Sequence, residues 1–586
     1  CDFTTMEKLL NLLLFFTLLI GVQAQLSGNI YSINDVPPTT DLLKQTVVVA
    51  IKNFYNTTTK EPHTLTYDQI YRFQAYDHVY GTVDTSGHFE VNNLDTAPDS
   101  YYSLFLFVDE NQDQHWNTDT FEPCGWNLLP DVTPQPIPTL STDQTVWNIT
   151  LNSGMNFTED DINSVANGAF GFVKGYPVLH TWGSPTDRAY AHGFLLAKQI
   201  VHLLRFWLLE STVRDYDYYN NAVIPFLKTP VVVIPQQAHD EMHATFNGMV
   251  DSGANLFVPE LNRNFTYEDV VYINNYGVQP PPIPLSSSRE YSREHAPRFR
   301  STHCSQFSAW GDRTGDVGTI AARNMDDELD IRKTTVSLFV MMAVQPTNGS
   351  GELAYVNYGW PGFVSAMTSG FNEKGLHAML NSGFDWQPGP PPKSLRAGMI
   401  LNNVLSTMNC ATIADTMNVL PFEKEEIPSF LVGVNILLAQ PDTVEDGTAP
   451  SVVYEGDRKG GLFRYEKEAS PYLNEFLLTT NHFLKYGYDL EEPYSNFGEP
   501  VSMSSWWRYI AGGNYLLALD SFQTQVQGRE MERALENVCH GTSEHSVVTF
   551  SNQLQFKVGI ASMKYSNFYS SYELIDAPLF DFWDVF

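Results

Sequence analysis

The sequence predicts an α+β chain, in which a small β-sandwich-like module precedes a larger domain mixing helices and strands. Three observations predict it. Short runs of β-branched and aromatic residues, separated by Gly and Asp-Asn-Pro clusters, fill 26–152. From residue 159 onward, helical periodicity alternates with strand-like runs. The length, 586 residues, exceeds one small core and suits a module plus a large domain.

Residues 1–24 are expected to lie outside the fold. Met6-Glu7-Lys8 opens an apolar run from Leu9 to Gly21, and Val22-Gln23-Ala24 is a small-x-small cleavage site. That pattern is a secretory signal peptide, too short to span a bilayer comfortably. Residues 1–5 precede a plausible initiator, Met6. Secretion, or delivery to a lysosomal or endosomal lumen, agrees with glycosylation sequons at Asn56, Asn148, Asn156, Asn264 and Asn348. Cysteine is too scarce for a disulfide-built fold, and one bridge, Cys410 to Cys539, is the simplest expectation.

The module's strands are read at Val47–Ile51, Tyr102–Val108 and Thr145–Ile149. Between the last two, Asp109, Asn111 and Asp113 place oxygen ligands at alternate positions, a pattern that can wrap Ca²⁺. Gln114 stands where an EF-type loop needs Gly, and no Glu closes the loop, so a solvated acidic turn competes.

In the 159–586 domain, helices are expected over Ala189–Glu210, Gln236–Gly253 and Leu395–Leu420, with strands at Phe430–Leu438 and Ser546–Phe550. Pro-rich Val278–Pro284, then Ser286–Ser288 and four Arg in Arg289–Arg300, form an exposed linker, 278–303, that neither helix nor strand can continue through. It divides the domain into 159–303 and 304–586. A second break is Pro388-Gly389-Pro390-Pro391-Pro392.

The charge balance, 34 basic against 67 acidic residues, argues against nucleic acid and anionic membrane as partners, because phosphates would be repelled. The longest apolar stretch after the leader, Phe194 to Leu209, is interrupted by Lys198, His202 and Arg205, so no transmembrane segment is expected.

One decoy precedes the chemistry. His239-Asp240-Glu241-Met242-His243 sets two His on one helical face, as zinc proteases do. The Glu stands two residues after the first His instead of next to it, so it points away from any shared metal.

Thr302-His303-Cys304-Ser305-Gln306-Phe307-Ser308-Ala309 opens a strand, a turn follows, and Gly318 to Asp326 forms a second strand carrying Arg323, Asn324 and Asp326. Paired as a hairpin, these strands return Arg323 and Asp326 beside Cys304. A cation there stabilises a thiolate, and a carboxylate can hold an adjacent amine.

These residues resemble the N-terminal nucleophile (Ntn) hydrolases that begin with Cys, which include bile salt hydrolases, penicillin V acylases, acid ceramidase and the penicillin-forming acyltransferases. The closest pattern is that of the acyltransferase-like group, the C45 peptidase family. Further segments follow in that family's order: Arg188–Gly193, Gly370–Leu376 with Leu380-Asn381, Thr480-Asn481-His482-Phe483, and His545–Val548. The resemblance covers roughly 160–586. It implies a four-layer αββα fold and a precursor that cuts itself between His303 and Cys304. Cys304 would then be a thiol beside its own free α-amine, which serves as its base. The resemblance further implies that Arg323 positions the thiolate, Asp326 holds the amine, and Asn481, with Asn381, stabilises the oxyanion. No cofactor is required. Two departures stand out: His303 replaces a small residue found in several relatives, and the Cys304-to-Arg323 hairpin is longer than in the bile salt group. That group's distant second Arg has no assigned counterpart.

The function expected is hydrolysis, or acyl transfer, of a small-molecule N-acyl amide other than a peptide. Trp310, Trp360, Phe363 and Phe371 near the motifs suit an apolar acyl chain or simply the core. Two alternatives remain, a non-catalytic secreted binding glycoprotein on the same fold and a phospholipase B-like ester hydrolase.

Overall fold

A computed structural model of the chain describes residues 24–586 apart from 33–39, 54, 57–60, 63–73, 75, 87, 95–99, 110–123, 127–136, 139–143, 152–154, 214–215, 231, 276–303, 327–331, 366–367, 384–393, 396, 407–409, 423–428, 431–432, 458–459, 470–472, 487–502, 540–542 and 562–569. Several expectations fall outside the described residues: the leader up to residue 23, Asn111 and Asp113 of the acidic loop, the linker 278–303 with His303, and the break at 388–392.

The chain divides into two compact units, Cys1–Gly154 and Met155–Phe586. In the first, β-branched and aromatic runs form two main sheets, beside a two-stranded ladder of Tyr55–Asn56 with Glu61–Pro62. One orders Gln144–Leu151, Ala24–Ser32, His88–Leu94 and Thr82–Val83. The other centres on Thr46–Lys52 and Tyr101–Val108, paired antiparallel. Phe89 and Val91 of one sheet share a buried cluster with Val48, Ala50, Leu104 and Leu106 of the other, so two apolar faces close on one core.

The second unit is mixed α+β and built on two large sheets. The ten-stranded sheet runs Asn163–Val165, Gly168–Val173, Tyr176–Gly183, Val340–Pro346, Tyr355–Gly359, Ser369–Asn372, His377–Ser382, Val434–Ala439, Ser451–Asp457, Gly460–Arg464. It is antiparallel except where Tyr176–Gly183 lies parallel to Val340–Pro346. The six-stranded sheet runs Phe476–Thr479, Ser305–Ala309, Ile320–Asp326, Ser543–Phe550, Gln555–Ile560, Phe580–Asp581.

Strand alternation sorts the side chains into layers. Met379, Leu437 and Val453 of the larger sheet meet Ala321 and Leu477 of the smaller, and Met341, Val356 and Phe371 meet Val547, Phe556 and Val558. These are the inner faces. On the outer face of the smaller sheet, Phe307, Ala322 and Leu478 pack on Leu516 and Leu535 of helices Met503–Ser521 and Gly528–Val538. On the outer face of the larger, Ala378, Ile436 and Val452 share a cluster with Leu196, Met242, Val271 and Ile400, from helices Pro185–Leu203, Gln236–Asp251, Tyr267–Asn274 and Ala397–Ser406.

Several boundaries differ from expectation. The first long helix starts at Pro185, capped by Ser184, and after Leu203 widens into a π-helical stretch, Leu204–Val213. The helix expected over Leu395–Leu420 resolves into Ala397–Ser406 and a short turn at Ile413–Thr416. The strand expected over Phe430–Leu438 resolves into Ser429–Phe430 and Val434–Ala439. Among the described residues no helix is long and apolar enough to cross a membrane.

Candidate active site

The site grows from the hairpin that begins at Cys304. Ser305 pairs with Asn324, Gln306 with Arg323 and Ala309 with Ile320. Two 3-10 turns, Gly311–Arg313 and Gly315–Val317, close it. Phe307 and Ala309 are drawn to the outer, helix-covered face. Alternation therefore leaves Cys304, Gln306 and Arg323 between the sheets.

The Arg323 guanidinium donates from Nη2 to the Cys304 Sγ at 3.5 Å, the Met325 Sδ at 3.1 Å and the Leu380 carbonyl at 2.6 Å. Nη1 donates to Ser369 Oγ and to the Thr368 carbonyl. The arginine is 2% exposed, so these contacts replace its hydration. The thiol of Cys304 is 1% exposed. Burial pushes it up from its ordinary value, the Arg323 charge pulls it back, and the Asp326 charge pushes it up again. Asp326 approaches the sulfur through its main-chain carbonyl, 3.8 Å away. Its carboxylate accepts from the Ser543 hydroxyl.

The two asparagines converge on the same place but are already committed. Asn381 Nδ2 donates to the carbonyls of Cys304 at 3.3 Å and Thr480 at 3.1 Å, and its Oδ1 accepts from Gln306. That pattern fixes main chain around Cys304, so the oxyanion donor expected of Asn381 is taken up. Asn481 Nδ2 donates to the Ser382 carbonyl at 2.8 Å, which occupies one of its two N–H bonds.

Arg508 was not singled out from sequence. It lies in helix Met503–Ser521 and donates from Nη1 to the Cys304 carbonyl at 2.6 Å and Ser305 Oγ at 2.8 Å. Its Nη2 donates to Asn481 Oδ1 at 2.8 Å. Burial pushes this guanidinium down from its ordinary value, while Asp326 and Cys304 pull it up. A signal existed: Trp506, Trp507, Tyr509 and Ile510 flank a lone Arg, and an Arg in so apolar a helix needs buried partners.

The segment carrying Asn481 is held from two sides. Ser505 Oγ accepts from the Asn481 N–H at 2.8 Å. Buried Glu455 pairs with Arg464 at 2.6 Å and accepts from the N–H groups of Leu484, Lys485 and Tyr486. His482 and His545 are both buried. Burial lowers His482 to about 3 and holds His545 well below its ordinary value. The His545 ring packs against Phe339 and Trp360.

Other expected residues lie elsewhere. Trp360 and Phe363 share the cluster of Cys304 and Met325, but Trp310 and Phe371 belong to two separate inter-sheet clusters. Asn372 accepts from the N–H groups of Lys374 and Leu376, so Asn-Glu-Lys-Gly-Leu is a hairpin turn, with Gly375 at φ 80°. Arg188 forms a two-pronged pair with Glu352 and does not reach Cys304's contacts. The expected Cys410–Cys539 bridge is absent: both are free thiols, Cys410 bonded to the Asp415 carbonyl and Cys539 to Ser543 Oγ at 3.2 Å. In the decoy helix, His243 stacks on Tyr267 at 3.6 Å, His239 Nδ1 bonds the Tyr267 hydroxyl, and Glu241 points inward to Ser365 Oγ. No group of three or more His, Cys, Asp or Glu among the described residues could hold a metal. Asp109 is buried, its N–H donating to the Gln45 carbonyl.

No family model matches this chain, and no curated protein matches it. Among solved structures, the penicillin V acylase of Agrobacterium tumefaciens is similar, at 14% identity and a TM-score of 0.28, over 44% of this chain and 83% of that one. So loose a superposition decides neither fold nor chemistry, and the site stands on its own geometry.

Proposed function

We propose that this chain is a self-processing cysteine amide hydrolase of the Ntn type, with Cys304 as nucleophile, acting on a small N-acyl amide. The observation that carries it is the buried Cys304 itself. Its sulfur lies 3.5 Å from one guanidinium, and its carbonyl is held at 2.6 Å by a second. Two buried arginines on one cysteine are costly unless anionic states form there. The helix–sheet–sheet–helix layering agrees with this assignment.

The chemistry follows from the surroundings. In the uncut chain burial favours the protonated form of the thiol. A break before Cys304 frees an α-amine, whose ordinary pKa of about 8 lies close to that of a thiol. The amine takes the thiol proton, and the thiolate attacks the amide carbonyl carbon, forming a C–S bond. The oxyanion is met by the remaining Asn481 N–H, with Arg508 orienting that amide. The leaving amine departs with the ammonium proton. Water then adds to the thioester, the C–S bond breaks, and the acid is released. Asp326 holds the ammonium in place.

We assign the protein to a secreted or lysosomal-type lumen. Asn156, Asn264 and Asn348 are exposed, as carriers of N-glycans must be. The deciding experiment compares wild type with Cys304→Ala on a denaturing gel with N-terminal sequencing. A fragment starting at residue 304 in wild type alone is expected. An uncut, active wild-type chain would overturn the maturation step. A panel of N-acyl p-nitroanilides then identifies the acyl preference.

A further inference from the structure

Asp326 is wholly buried, and a carboxylate in that position stays ionised only where donors face it. The Ser543 hydroxyl donates to its Oδ1. Ser543 Oγ in turn accepts from the Cys539 thiol at 3.2 Å. The donors point one way, from thiol to hydroxyl to carboxylate. An irregularity in the sheet creates the alignment. The ladder between Ile320–Asp326 and Ser543–Phe550 runs in step from Ile320↔Phe550 to Met325↔His545, then skips Glu544 so that Asp326 meets Ser543. Such bulges re-aim side chains beside functional sites. Glu544, the skipped residue, accepts instead from the Thr335 hydroxyl. Cys539 caps the C-terminus of helix Gly528–Val538, which packs on the outer face of this sheet.

We propose that Ser543 is a positioning residue for the reaction above: its hydroxyl, aligned by the Cys539 thiol, keeps the Asp326 carboxylate ionised and turned toward the ammonium freed at Cys304. This rests on the proposed function. Among the described residues, the groups facing Asp326 include the Cys304 thiol from its own hairpin, Arg508 from helix Met503–Ser521, and Cys539 from the capped helix end. Arg323, Glu544 and His545 stand on the two strands that carry the pair. Arg508 is cationic, so Asp326 is poised between one permanent charge and one that maturation creates. A hydrogen bond to the ionised form lowers a carboxylate's pKa, and losing it raises that pKa.

The test measures kcat/KM against pH on the matured enzyme, using the N-acyl p-nitroanilide that wild type hydrolyses fastest. Ser543→Ala is expected to move the acid limb upward by about one pH unit, the worth of one charge-assisted hydrogen bond. Ser543→Thr, which keeps the hydroxyl, restores the limb. Cys539→Ala shifts it the same way by less, and it stands in if Ser543→Ala fails to fold. Profiles of the alanine variants that superimpose on wild type, or a threonine variant no better than alanine, overturn the proposal. Cys304→Ala separates the two levels. If it is inactive while Ser543→Ala is unshifted, only the role of Ser543 falls. If it is active, the nucleophile assignment falls and takes this role with it.

Discussion

At the scale of single residues, Arg508 decides more than its place in the sequence suggests. Its planar fork bridges the Cys304 carbonyl and the Asn481 side chain, two groups that in the proposed reaction must hold still while charge moves between them. Lysine keeps the charge but cannot span both acceptors. Arg508→Lys should therefore lower kcat/KM by on the order of a hundredfold, the cost of misplacing one oxyanion donor. Its melting temperature should fall far less than that of Arg508→Leu, which leaves the Cys304 carbonyl and Asn481 Oδ1 short of a donor. Steady-state kinetics with thermal melts of both variants check this. The contrast with Arg323 explains what was legible. Arg323 returns to Cys304 through one hairpin, and hairpin pairing is local enough to be read from alternation. Arg508 arrives from a separate helix beyond a different strand, and no pattern in the chain records that docking. Asn381 shows the opposite failure. Its position was foreseen, but its amide is spent on main-chain carbonyls, which only three-dimensional contacts reveal.

At the scale of elements, the helices over the larger sheet depend on two glycines. Helices Pro185–Leu203 and Gln236–Asp251 cross so closely that a Cβ on Gly193 would lie 1.9 Å from the Thr245 carbonyl oxygen. One on Gly248 would lie 2.1 Å from that of Tyr190. Helical carbonyls cannot yield without parting the helices. Gly193→Ala and Gly248→Ala should each cost about 3 kcal/mol, read as a lower urea midpoint at unchanged slope. The Arg188–Gly193 segment was legible as the entrance to a helix, yet its Arg and Gly serve packing and an ion pair with Glu352. Apolar periodicity located the helices themselves. It could not foresee the π-helical widening at Leu204–Val213, because that depends on how the turn packs and not on which residues are apolar. Sheet order escaped for a related reason: Gly460–Arg464 at one edge and Asn163–Val165 at the other come from distant parts of the chain.

At the scale of the whole molecule, the buried histidines set the response to acid. Burial holds His192, His202, His377 and His482 each at about 3, against an ordinary 6.5. His192 shows why in atoms: its Nε2 accepts from the Gly362 N–H, so it must be unprotonated. The unfolded chain binds these protons near 6.5, and the folded chain does not until about 3. The stabilisation is thus complete above about pH 6.5 and is lost progressively as pH falls toward 3. Buried Glu241, raised by its burial, works in the opposite direction, but it is a single group. Relief of repulsion among the excess acidic residues, net −33, also opposes the loss. Urea midpoints at pH 7, 6, 5 and 4 should nevertheless decline steadily below 6.5. A flat series would mean the histidines are not buried neutral.

The parallel ladder from Val178↔Met341 to Gly183↔Pro346 joins strands that stand on opposite sides of residue 304. Scission at that residue would nick one continuous sheet without dividing it. The two pieces would stay interlocked as a single particle on a sizing column, and only denaturant would part them. Neither part of the second unit made alone should fold, since each would present a raw sheet edge where its missing neighbour belongs.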